Sequence, residues 1–186
     1  MSTALLVIDV QESFRARTDD WATASAPDIA DRIQPLVEAA RTAGHEVVWV
    51  LHVEPGTGDV FDPELGHVRL IDGLKPLDDE PLLHKTSHNA FTTTNLGQYL
   101  TAHGVTEVVV TGIRTEQCCE TTARLASDLG YQVQFVLDAT ATMPLERWDG
   151  AGTLTVDEVL QRTASALHGR FADVVTREEI LASWQG

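Results

Sequence analysis

The sequence predicts an α/β fold in which a mainly parallel sheet of about six strands lies between two layers of helices. Three observations support this class: short continuous apolar runs, amphipathic segments that alternate with them, and glycines that follow several of those segments. Strands separated by helices pair in parallel through right-handed crossovers, which produces a three-layer α/β/α sandwich. The length of 186 residues suits one domain, so we expect a single domain over residues 1–186.

The first half of the chain contains one long predicted helix and three predicted strands. The helix covers residues 29–42, where apolar side chains recur at helical spacing, and Gly44 stands where a helix C-cap belongs. A segment rich in Gly, Pro and Asp, residues 55–81, is predicted to form a long loop. The strands are predicted at residues 4–8, 47–53 and 82–84.

The second half continues the same alternation of strands and helices. Gly104 and Gly130 follow its first two predicted helices, as expected for helix ends. The helices are predicted at residues 96–103, 118–129, 156–171 and 177–184, and the strands at 107–113, 132–137 and 172–176.

Charge and cysteine content narrow the class of function. Thirteen Lys and Arg against 28 Asp and Glu give a formal charge of −15, which argues against nucleic acid and anionic membranes as partners. The apolar runs are too short to span a bilayer, and no basic region precedes the first one, so we expect a cytoplasmic protein. The two cysteines, Cys118 and Cys119, are adjacent, which excludes a disulfide framework and a Cys-rich zinc site.

Three reactive residues follow predicted strands. Asp9 ends the first strand, Lys85 follows the third, and Cys118 comes after the fourth, at the start of a predicted helix. Parallel strands bring their carboxyl ends to one edge of the sheet, where such folds bind ligands. A helix N-terminus and a nearby ammonium favour a thiolate, and a carboxylate can take and return its proton. Each residue alone has an ordinary structural explanation, but together they predict a site for covalent catalysis.

Three segments carry a resemblance to a known family, the isochorismatase-like cysteine hydrolases. Residues 111–123, TGIRTEQCCETTA, resemble the family's nucleophile segment, and residues 5–14, LLVIDVQESF, its opening strand. Residues 83–91, LHKTSHNAF, are similar to its lysine segment. The match in order and spacing runs from residue 4 to about residue 176, and it implies the family's Rossmann-like fold.

The resemblance implies a role for each of the three residues. Cys118 would be the nucleophile, Asp9 the general base and later the general acid, and Lys85 the orienting cation. It also implies a cis peptide bond between Ile113 and Arg114, with the backbone N–H groups of Arg114 and Cys118 forming an oxyanion hole. Cys119 is expected to pack in the core. Family members commonly form dimers or tetramers, so we expect a homodimer or homotetramer.

Departures from the family's subgroups limit the expected reaction. Isochorismatases replace the nucleophile with Gly, whereas this chain keeps Cys118, so we expect hydrolysis of a C–N bond in a small amide, lactam or ureide. Metal-dependent members have an Asp-x-His pair where this chain reads Leu51-His52-Val53-Glu54, so we expect neither a metal nor another cofactor. The candidate substrate contacts are Phe14, Gln11, His52, Phe91, Gln117 and Trp148, with Trp21, His88, Arg114 and Glu116 as wider candidates.

Two other classes of function remain open. The chain could be a non-catalytic binding module of the same fold, although a charged pair beside a thiol has no evident use in such a module. It could also be a thiol redox sensor built on Cys118 and Cys119, although a disulfide between neighbouring residues is strained.

Overall fold

The structure, a computed structural model that describes residues 2–185, is built on a parallel sheet of six strands. Its spatial order is β3-β2-β1-β4-β5-β8, so the direction of strand order changes between β1 and β4. A two-residue antiparallel hairpin, β6 with β7, lies outside the sheet. The strands are β1 (Ser2–Ile8), β2 (Glu46–His52), β3 (Leu82–Lys85), β4 (Val105–Ile113), β5 (Gln132–Ala141), β6 (Leu145–Glu146), β7 (Thr153–Leu154) and β8 (Asp173–Val175).

Helices cover both faces of the sheet. Apolar residues of α1, α3 and α7 pack in one buried cluster, and those of α4, α5 and α6 pack in a second cluster on the opposite face. Alternate residues of β1 enter the two clusters, as the two-residue period of a strand requires. The helices are α1 (Glu12–Ala16), α2 (Thr18–Trp21), α3 (Ile29–Thr42), α4 (Leu96–Ala102), α5 (Glu120–Asp128), α6 (Val156–Leu167) and α7 (Arg177–Trp184). The predicted three-layer α/β/α class is therefore confirmed.

Some predicted boundaries are wrong. The strand predicted to end at residue 137 continues to Ala141, because a shift in its register with β4 lets pairing resume beyond the irregularity. The helix predicted to reach residue 171 ends at Leu167, because His168 has extended backbone angles. The helices α1 and α2 and the β6–β7 hairpin were not predicted, since each is too short for a periodic pattern. Within residues 2–185, no helix is long and apolar enough to cross a bilayer.

Candidate active site

Asp9, Lys85 and Cys118 meet at the carboxyl edge of the sheet. Asp9 directly follows β1, Lys85 ends β3, and Cys118 lies in the turn after β4. The ammonium nitrogen Nζ of Lys85 lies 2.7 Å from Oδ2 of Asp9 and 3.3 Å from Sγ of Cys118. Asp9 and Lys85 are fully buried and Cys118 is 7% exposed. The predicted convergence of these three side chains is thus present in the fold.

Close approach of β4 to β1 positions this cluster. Gly112 pairs with Ile8 and has a φ of +130°; a Cβ atom there would lie 1.9 Å from the carbonyl oxygen of Ile8. Only glycine permits this approach. Asp9 has a φ of +55°, and its N–H donates to the carbonyl of Val50 over 2.8 Å. The backbone of Asp9 is therefore held where β1 leaves the sheet.

Cys118 lies in a π-helical turn, residues Thr115–Cys119, that precedes α5. The expectation that a regular helix begins at residue 118 is wrong: the turn begins at Thr115, and the α-helix begins only at Glu120. Cys118 faces a cavity, whereas Cys119 is fully buried in the core. The peptide bond between Ile113 and Arg114 is cis.

Burial and charge set the protonation of the cluster. Burial raises the pKa of the Cys118 thiol, and the charge of Asp9 raises it further, so the attraction of Lys85 does not prevail. Burial also raises the pKa of Asp9, against the lowering effect of Lys85. Although burial opposes it, the pKa of Lys85 is raised by the charges of Asp9 and Cys118. These directions favour a neutral thiol beside a basic carboxylate in the free protein, whereas a helix N-terminus and an ammonium alone would favour a thiolate.

The carboxylate of Asp9 is available to accept a proton. Its contact with Lys85 is an ion pair at 2.7 Å, but the angles are not those of a hydrogen bond. Within the described part of the chain, neither oxygen of Asp9 accepts a hydrogen bond. An unsatisfied buried carboxylate next to a thiol is suited to general-base chemistry.

A cavity of about 210 Å³ opens beside Cys118 and Asp9. Among the sequence-predicted contacts, Phe14, His52 and Gln117 line it, as do the wider candidates His88 and Arg114. Five further residues line the cavity but were not among the predicted substrate contacts: Arg17, Asp20, Glu54, Phe61 and Met143. Arg17 and Asp20 belong to the region of the two short helices, and Phe61 lies in the long loop, where no periodic pattern marks a cavity wall.

Three predicted substrate contacts, Gln11, Phe91 and Trp148, do not line this cavity. The buried side chain of Gln11 donates to the carbonyl of His52 and accepts from its N–H, so it holds the end of β2. Phe91 stacks on Tyr131 with ring centroids 6.0 Å apart and packs on the α4–α5 side of the sheet. Trp148 is 97% exposed between β6 and β7 and lies outside the cavity wall.

Arg114 and Glu116 hold the segment after β5 against the cavity. The side chain of Arg114 donates to the carbonyl of Met143 over 3.0 Å, and its Nε lies 3.2 Å from Oε1 of Glu116. Glu116 also accepts from the hydroxyl of Thr142 over 2.6 Å. Glu116 therefore makes local bonds and does not line the cavity. The other wider candidate outside the cavity, Trp21, packs against the α1–α3 cluster.

The described residues also bear on whether the chain could hold a metal ion. Across residues 2–185, no group of three or more His, Cys, Asp or Glu side chains is arranged so that it could hold a metal ion. The chemistry available at the cavity floor is that of a thiol, a carboxylate and an ammonium.

Comparison with known proteins gives consistent matches. The model of the isochorismatase domain matches residues 3–178. A streptothricin hydrolase of Streptomyces noursei is 39% identical over 139 residues, which cover 75% of this chain and 49% of that protein. Nicotinamidase 3 of Arabidopsis thaliana is 34% identical, covering 75% of this chain and 73% of the relative. The crystal structure of a cysteine hydrolase from Pseudomonas syringae pv. phaseolicola superposes with a TM-score of 0.89 at 28% identity, covering 98% and 92% of the two chains.

Proposed function

We propose, from the premise that the chain belongs to the isochorismatase-like hydrolase family, that it is a cysteine amidohydrolase. It would cleave a C–N bond of a small amide, lactam or ureide through a thioester on Cys118. One observation carries the proposal: a single buried ammonium contacts both the carboxylate of Asp9 and the sulfur of Cys118 at the floor of a cavity. The relatives named nicotinamidase and streptothricin hydrolase support hydrolysis as the class of reaction.

The proposed first half-reaction forms the thioester. Asp9 accepts the thiol proton as Sγ of Cys118 attacks the substrate carbonyl carbon. The resulting oxyanion accepts hydrogen bonds from the backbone N–H groups of Arg114 and Cys118. Both residues line the cavity, which supports this assignment. Asp9 then returns its proton to the leaving nitrogen, and the C–N bond breaks. Lys85 stays an ammonium throughout and balances the charge of Asp9.

The proposed second half-reaction releases the acid. Asp9 takes a proton from a water molecule, whose oxygen attacks the thioester carbonyl. The C–S bond breaks, and the sulfur recovers its proton from Asp9. No metal or cofactor takes part in this sequence. Phe14, His52 and Gln117 are the proposed walls against which the substrate rests.

The charges around the cavity favour neutral or cationic substrates over anionic ones. Arg17 and Arg114 line the cavity, but each already pairs with a neighbouring carboxylate, at 2.8 and 3.2 Å. Two more carboxylates, those of Asp20 and Glu54, also line it. An anionic substrate would therefore meet repulsion without a free cation to offset it.

The redox-sensor alternative has less support from the geometry. Cys119 is fully buried and faces the core, and burial raises its pKa well above the ordinary value. A buried, protonated partner is a poor resolving thiol. A homodimer or homotetramer, a single domain over the whole chain and a cytoplasmic location remain predictions.

The test is the release of ammonia or amine from a panel of small amides, lactams and ureides, with and without chelator. We expect turnover that survives chelator, is abolished by Cys118→Ala and is retained by the matched variant Cys119→Ala. Turnover that chelator removes would contradict the metal-free reaction. Turnover in Cys118→Ala would contradict the nucleophile, and a folded wild type inactive on the whole panel would favour the binding module.

A further inference from the structure

His52 connects the buried lysine to a carboxylate at the cavity wall. His52 is the last residue of β2, and Glu54 lies two residues later. The imidazole Nδ1 lies 3.3 Å from Nζ of Lys85, and Nε2 lies 3.1 Å from Oε1 of Glu54. The side chain of His52 is 14% exposed and that of Glu54 is 43% exposed. One imidazole thus bridges the interior of the site and its accessible side.

The direction of these two hydrogen bonds follows from the donors present. The ammonium of Lys85 has three N–H groups and no acceptor, so Nδ1 of His52 must accept. The proton of the neutral ring is then on Nε2, which donates to the carboxylate of Glu54. Glu54 therefore selects the ring tautomer that can receive a hydrogen bond from Lys85.

Four acceptors surround the three protons of the Lys85 ammonium. The carbonyl of Ser87 lies at 3.1 Å, Nδ1 of His52 and Sγ of Cys118 at 3.3 Å, and Oδ2 of Asp9 at 2.7 Å. The first three contacts have hydrogen-bond geometry, but the contact with Asp9 does not. Ser87, His52 and Cys118 thus compete with the Asp9 carboxylate for the three N–H groups of the ammonium.

The backbone of His52 is fixed independently of its ring. Its N–H donates to the Gln11 side chain over 2.8 Å, and its carbonyl accepts from the same side chain over 3.0 Å. The ring meets Phe61 edge to face, with centroids 5.6 Å apart. The imidazole is consequently held in place next to Lys85.

We propose that His52, oriented by Glu54, is a positioning residue that turns the Lys85 ammonium toward Cys118 and leaves the Asp9 carboxylate free to accept the thiol proton. Without the imidazole, the released N–H would hydrogen-bond Asp9 and make it a weaker base. The inference deepens the proposed function, because it assigns a part of the same site. Its first readout, alkylation of the thiol, requires no substrate.

Two amide variants of His52 test whether the position of the hydrogen-bond acceptor matters, rather than the presence of any polar side chain. In His52→Asn the side-chain oxygen can occupy the place of Nδ1 and accept from Lys85, whereas in His52→Gln the amide reaches toward Glu54. The rate of Cys118 alkylation by iodoacetamide is followed by mass spectrometry at several pH values. We expect the rate at pH 7 to fall about tenfold in His52→Gln and His52→Leu, equivalent to one pKa unit of base strength in Asp9. His52→Asn should react faster than both.

Hydrolysis provides the second readout. On any substrate found in the panel, loss of positioning should lower kcat in His52→Gln more than in His52→Asn. A role confined to substrate contact would instead change KM. Equal alkylation rates for the Asn and Gln variants, or a wild-type rate in His52→Leu, would overturn the proposal. If the alkylation order holds but nothing is hydrolysed, the positioning role stands and the proposed function fails.

Variants of Glu54 keep the test decisive if a His52 variant does not fold. Glu54 is partly exposed, so its substitution should leave thermal unfolding unchanged. Glu54→Gln retains an oxygen that accepts from Nε2, whereas Glu54→Leu retains none. We expect alkylation to be several-fold faster in Glu54→Gln than in Glu54→Leu. Identical rates in the two variants would overturn the tautomer-selecting role of Glu54.

Discussion

Replacing Asp9 with Asn separates the acidity of the Cys118 thiol from its catalytic use. The substitution removes the negative charge beside the thiol and conserves the size of the side chain. Lys85, with its Nζ 3.3 Å from Sγ, then remains as the nearest charge. We expect Asp9→Asn to lose hydrolysis, because no base takes the thiol proton, while its thiol becomes more acidic.

The size of the shift follows from two distances. Oδ2 of Asp9 and Sγ of Cys118 lie 2.7 and 3.3 Å from the same Nζ, so they are at most about 6 Å apart. Two unit charges at about 6 Å interact by about 2.8 kcal/mol at an effective dielectric constant of about 20. This energy corresponds to about two pKa units. Because about 6 Å is the largest possible separation, the pKa of Cys118, which burial and Asp9 raise in the wild type, should fall by at least about two units in the variant.

The assay is the pH dependence of Cys118 alkylation, with the labelled residue identified by mass spectrometry. The high-pH inflection should move to lower pH in Asp9→Asn. The matched control is Asp20→Asn, which removes an exposed carboxylate of the same cavity and should leave the inflection in place. An inflection that stays or moves upward in Asp9→Asn would refute the electrostatic reasoning. Hydrolysis within tenfold of wild type would refute the role of Asp9 as the base.

Three further predictions concern stability and specificity. Gly112→Ala should lower the free energy of unfolding by more than about 3 kcal/mol, because its Cβ would overlap a backbone oxygen of β1. The control Gly97→Ala in α4, whose nearest neighbour would be 3.8 Å away, should change stability little or raise it by up to about 1 kcal/mol in urea unfolding. Lys85→Met should leave Asp9 buried without its cation and raise its pKa further. A folded-state pKa above the unfolded value contributes stability that is lost as pH rises, so the variant's deficit relative to wild type should be larger at pH 8 than at pH 5 in thermal unfolding. Trp148→Ala should change unfolding by less than about 0.5 kcal/mol and leave KM unchanged, because the side chain is exposed outside the cavity; an increased KM would return this residue to the site.

The fold was predictable where the sequence pattern is long enough to be periodic. The helix predicted over residues 29–42 matches α3 at both ends, because its apolar face and the glycine after it are local signals. The strands of the sheet were predicted from runs of buried apolar residues. The helices α1 and α2 have five and four residues, too few to display a period, so the cavity wall near them was missed.

The reactive residues of the candidate site were predictable from the sequence, but its walls were predictable only in part. Gln11 and Phe91 occur in the recognisable segments, yet the Gln11 side chain holds the end of β2, and Phe91 packs against the cluster formed by α4 and α5. Glu54, in contrast, belongs to none of the recognisable segments. It contacts His52 because it lies two residues beyond the end of β2. The spacing of residues along the chain indicates which residues lie on the same element. The direction of each side chain, in contrast, depends on the residues that pack around it.

The sequence by itself determined the strand order along the chain and the positions of Asp9, Lys85 and Cys118 at strand ends. Parallel pairing then brings those ends to one edge, because crossovers return every strand in the same direction. Only the tertiary structure decided the direction in which the pKa of the thiol is shifted and which acceptors surround the Lys85 ammonium. Both depend on the exclusion of water and on distances of a few ångströms between residues far apart in sequence, because electrostatic energies in a buried site vary steeply with separation and burial.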